Sequence, residues 1–65
     1  MKGKVFAFDE HRGLGTIVAD DGRRYPFHCT QIADGSRTIA RDAVVTFEPV
    51  PGHLGHFEAA GIRPA

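Results

Sequence analysis

The chain has 65 residues, enough for one domain, with eight Lys and Arg balancing eight Asp and Glu to a formal net charge of zero. This balance excludes a uniformly basic nucleic-acid binder, although one face can be basic while another is acidic. Cys29 is the only cysteine, which excludes an intramolecular disulfide, and no apolar run reaches the length of a membrane span or a signal-peptide core. A reducing, cytoplasmic setting without a membrane partner is expected.

Eight Gly and four Pro imply many turns and favour a β-rich domain over a helical bundle. Short apolar runs between turn signals predict strands in chain order. "KGKVFAF", Lys2 to Phe8, is the first, and "LGTIVA", Leu14 to Ala19, the second. Asp21-Gly22 is a strong hairpin signal. "YPFHCT", Tyr25 to Thr30, follows as the third strand, although Pro26 removes a ladder donor and suits an edge or a bulge. A longer connection holds a second Asp-Gly, Asp34-Gly35, and room for one short helical turn near Thr30 to Ala33. "VVTFEPV", Val44 to Val50, is the fourth strand and "FEAAGI", Phe57 to Ile62, the fifth.

No window sustains a helical apolar period over three turns. Five strands in so short a chain must limit their exposed edges, and closure into a small barrel is the usual solution. The order predicts an all-β fold, a five-stranded antiparallel Greek-key barrel of the OB type, in one domain spanning residues 1–65. Phe8, Phe27, Phe47 and Phe57 are expected in its core. Alternation with Val5 leaves the exposure of Phe6 open.

With the strands placed, the sequence resembles the bacterial cold-shock domain from Gly3 to Ile62. "GKVFAFD" is similar to that family's first strand, "RGLGTI" to its first RNA-binding motif, "DDG" to the following turn and "YPFHCT" to its second motif. "RTI", "VVTFE" and "EAAGI" match the later segments in the same order. The resemblance implies binding of single-stranded RNA or DNA by bases stacked on the first three strands. Lys4, Phe8, Arg12, Gly13, Gly15 and His28 match the family pattern. Ala7, Leu14, Thr16, Pro26 and Cys29 occupy five positions where the resemblance implies stacking rings, and none of them is aromatic. Phe6 stands where a lysine is common and can supply a ring of its own.

The expected contacts are therefore Lys4 and Arg12 to phosphate, Phe6, Phe8 and His28 to bases, and Leu14 as an apolar shelf. Binding should be weak and largely sequence-tolerant, by a monomer. The alternative is a protein-interaction module on the same scaffold. Among the remaining arginines, Arg23 and Arg24 follow the hairpin glycine and read as solvated turn residues, while Arg37 and Arg41 lie in the long connection. Gly13 and Gly15 read as strand-coiling positions ahead of phosphate contacts. His28, Cys29, His53 and His56 carry ligand-type side chains, but a closed zinc site needs four converging groups. No metal or other cofactor is expected. Asp9 with Glu10 and Asp20 with Asp21 read as turn residues, and Ser36 has no base placed for it, so no enzymatic activity is expected.

Overall fold

The structure, a computed structural model, describes residues 1–52 and 55–65. It contains five strands: β1 Lys2–Asp9, β2 Leu14–Ala19, β3 Arg24–His28, β4 Val44–Pro51 and β5 Phe57–Pro64. All pairings are antiparallel within one sheet of order β3-β2-β1-β4-β5. The all-β expectation holds in this form. Closure does not: β3 and β5 end the hydrogen-bonded ladder, and no strand pairing joins them among the described residues. The two end strands nonetheless pack against each other. Ile32, just after β3, forms a parallel bridge to Ile62 on β5, and the Ala33 N–H donates to the Ile62 carbonyl at 2.8 Å.

β3 is an end strand, which explains how it accommodates Pro26 without disrupting a ladder on both sides. It stops at His28 instead of running to Thr30. The His28 ring turns back and its Nδ1 accepts the Thr30 N–H at 3.2 Å, capping a single 3-10 turn at Cys29–Gln31. That turn takes the place of the one expected at Thr30 to Ala33, and it removes Cys29 from the strand. The carboxylates near the hairpins act locally. Asp9 Oδ1 accepts the N–H of His11 at 3.0 Å and of Arg12 at 3.3 Å, and Asp21 Oδ1 accepts that of Arg23 at 2.9 Å. In the long connection the Ser36 N–H donates to Asp34 Oδ1 at 2.8 Å, which holds the Asp34 carboxyl below its usual range.

One row of the sheet, Val5, Ile17 and Tyr25, points inward and joins Phe27, Ile32, Val45, Phe47, Ala59 and Ile62 in the core. The Tyr25 and Phe47 rings meet at 5.2 Å with a 55° tilt, a favourable aromatic geometry. Phe27 and Phe47 are thus core residues as expected, and Phe8 is half-buried against them. Phe57 is the correction, at 54% exposure. It pairs with Pro51 at the turn end of the β4–β5 hairpin, beyond the reach of the core. Among the described residues, no helix is long and apolar enough to cross a membrane.

Candidate nucleic-acid interface

The outward face of β1, β2 and β3 is set by a bulge. Val5 pairs with Ile17 and Ala7 with Thr16, so Phe6 is an extra residue on β1. A bulge breaks the two-residue alternation. Phe6 and Ala7 therefore both face outward, and Phe8 returns to the inner side. The outward side chains fall in rows: Lys4, Val18 and Arg24, then Ala7, Thr16 and Pro26, then Asp9, Leu14 and His28. Phe6 is 50% exposed and Leu14 46% exposed.

Two adjoining grooves divide the expected contact residues. Phe8, Arg12, Leu14 and His28 line a groove of about 500 Å³, together with Ala7, Asp9, Gly15, Thr16, Pro26, Phe27 and, from β5, Glu58. Lys4 and Phe6 lie in the neighbouring groove with Val18 and Arg24. His28 also borders a third depression that leads to Ser36 and Arg37. The positions expected for stacking rings, apart from Cys29, all line the first groove, where they present small or aliphatic side chains.

The glycines of "RGLGTI" are explained by packing. Gly13 has a φ of 65°, which disfavours any side chain, and its carbonyl accepts the Cys29 N–H at 2.7 Å. A Cβ there would lie 2.9 Å from Cys29 Sγ. Gly15 sits between Phe8 and Phe27 in the ladder, and those rings stack with centroids 5.9 Å apart and planes 9° apart. A Cβ on Gly15 would meet the Phe27 ring at 2.5 Å and the Ala7 carbonyl at 2.9 Å. Gly15→Ala should consequently lower stability by about 1–3 kcal/mol, an overpacking effect read from urea denaturation. An unchanged midpoint would show that the Phe27 ring does not rest on this glycine.

The electrostatics are mixed. Arg12 is exposed at the groove and forms no ion pair among the described residues, where the one ion pair is Arg23 with Asp21 at 3.8 Å. Asp9 and Glu58 bring carboxylates to the same groove. A backbone N–H only donates, so His28 Nδ1 must accept from Thr30, and a neutral ring carries its proton on Nε2. That leaves an N–H donor at the free end of the ring.

Arg24 was not legible as a site residue. It opens β3 on the outward face instead of belonging to the turn, and its guanidinium lies 5.0 Å from the Phe6 ring centroid. The strict alternation in "RYPFH", with Tyr25 and Phe27 inward, was the available signal. Glu58 carried no such signal, because its place depends on how β5 approaches the far side of the sheet. Among the described residues, no three His, Cys, Asp or Glu side chains gather as metal ligands. His28 Nδ1 and Cys29 Sγ are 3.9 Å apart; His53 lies outside the described residues.

No known family model matches the chain, and no curated protein matches it in sequence.

Proposed function

We propose that this chain is a cold-shock-type domain of OB architecture that binds single-stranded RNA or DNA weakly, without a cofactor or a catalytic step. The observation that carries the reading is the first groove. It combines Leu14, Pro26 and His28, exposed on the outward sheet face, with the half-buried Phe8 ring and the exposed Arg12 cation of the β1–β2 turn. Apolar surface offers bases a shelf, and cations along it attract the phosphate backbone. Lys4, Phe6 and Arg24 extend the same face. The packing of β3 on β5 and the Ile32–Ile62 bridge support the barrel-like curl of that architecture.

The test is a fluorescence-anisotropy titration of labelled oligo-U and oligo-dT at low and physiological salt. Affinity is expected to be micromolar or weaker and to fall steeply as salt rises. Arg12→Ala should weaken all sequences equally and flatten the slope of log K against log salt by about 0.7, the loss of one phosphate contact on a single strand. Salt-independent binding would overturn the electrostatic account. Absence of binding at low salt would overturn the function. The protein-interaction alternative would then be favoured by the groove's aliphatic lining and its carboxylates, Asp9 and Glu58, which suit a basic peptide.

A further inference from the structure

Glu58 is the feature of the groove that neither phosphate attraction nor stacking explains. It is half-buried on β5, pairs with Val50 in the ladder and reaches the groove otherwise built by β1, β2 and β3. Its side chain lies across Gly52: a Cβ on that glycine would sit 2.5 Å from Glu58 Cγ and from Oε2. The missing side chain at position 52 thus makes the space that Glu58 occupies. Among the described residues, its carboxylate takes part in no ion pair and no side-chain hydrogen bond.

An ionised carboxylate has two acceptor oxygens and no donor. Beside a phosphate backbone it repels, and it therefore favours strand placement with phosphates toward Arg12 and bases toward β5. Bases of single strands present their Watson–Crick edges for reading. Guanine alone offers two adjacent donors there, N1–H and the 2-amino group, which match both carboxylate oxygens. Thymine and uracil set their one N–H between two carbonyls, and adenine and cytosine set one amino group beside an acceptor nitrogen.

We propose that Glu58 is a specificity determinant that selects guanine at one position of the bound strand, with Leu14 and Pro26 as the shelf beneath the base. This rests on the groove being a single-strand site. The experiment uses the intact chain and labelled dT heptamers whose central base is thymine, guanine, hypoxanthine, adenine or cytosine, read by anisotropy at low salt. The guanine heptamer should bind on the order of tenfold more tightly than all-dT, as for a bidentate side-chain contact to a base. Hypoxanthine lacks the 2-amino group and should forfeit most of that gain. Glu58→Gln should bring the affinity ratio of the guanine and thymine heptamers to about one.

Equal binding of guanine and thymine, or a guanine preference that survives in Glu58→Gln, would overturn the proposal and leave the single-strand reading standing. Failure of every heptamer to bind would overturn both. The hypoxanthine comparison is made on the unaltered protein, so equal binding of guanine and hypoxanthine overturns the proposal even if the variant folds poorly.

Discussion

Phenylalanine placed at Leu14, Thr16 and Pro26 should raise affinity for oligo-dT stepwise. Each productive ring is worth about 1 kcal/mol, the low end for base stacking, so the three together should tighten binding on the order of a hundredfold. All of these side chains line the same groove. Leu14 and Pro26 are exposed and Thr16 is half-buried. Thr16 lies between Ala7 and Pro26 in the ladder, so its neighbours are short enough to leave lateral room for a ring. Pro26→Phe also restores an N–H on an end strand, where it has no obligatory partner to displace. Two readouts separate the possibilities, a melting curve and an anisotropy titration. A ring forced inward at Thr16 would instead cost about 1–3 kcal/mol of stability. Unchanged melting with no gain in affinity would show that this face does not meet single strands, and a peptide partner would become the better reading.

The outward direction of that face was legible only in part, and the reason is local. Alternation carries from Val5 to Phe6, but nothing in "VFAF" marks the extra residue, because a bulge is set by pairing with β2 and not by residue type. The pattern therefore located Phe6 only up to a doubt that the bulge resolves. β3 shows a different failure. Tyr25 to Thr30 reads as a strand by composition, yet a histidine outside the usual capping set ends it by accepting the Thr30 N–H. The same shift in bounds hid Arg24, whose side chain reaches Phe6 from the first position of the strand. The β2–β3 turn, in contrast, was legible from Asp21-Gly22, since its chemistry is contained within a few residues. Glu58 and the approach of β5 to β3 depend on contacts between distant parts of the chain, and no short window encodes those.

Phe27 and Phe57 look alike in the sequence, each the one phenylalanine of its predicted strand, and they should differ sharply when removed. Phe27 is 2% exposed. Its ring covers Gly15 and stacks on Phe8 at 5.9 Å. Truncation leaves a hole that a glycine cannot fill, so Phe27→Ala should cost about 3–5 kcal/mol, the range for a buried ring. A domain of this size has roughly 3–10 kcal/mol to lose, at about 0.05–0.15 kcal/mol per residue. Melting should therefore fall by roughly 12–40 °C, given about 4–8 °C per kcal/mol, or the domain should fail to fold. Phe27→Leu keeps most of the volume and provides a milder variant that still folds and still shifts. Phe57 is 54% exposed beside Pro51. Phe57→Ala should move stability by no more than about 0.5 kcal/mol, as for surface positions generally. Comparable losses at the two sites would place Phe57 in the core after all, and would mean that the β4–β5 hairpin folds inward over the sheet. A clear separation would fix the limit of the core at Ala59, and leave the Phe57 end of β5 free to carry Glu58 into the groove without a stability requirement of its own.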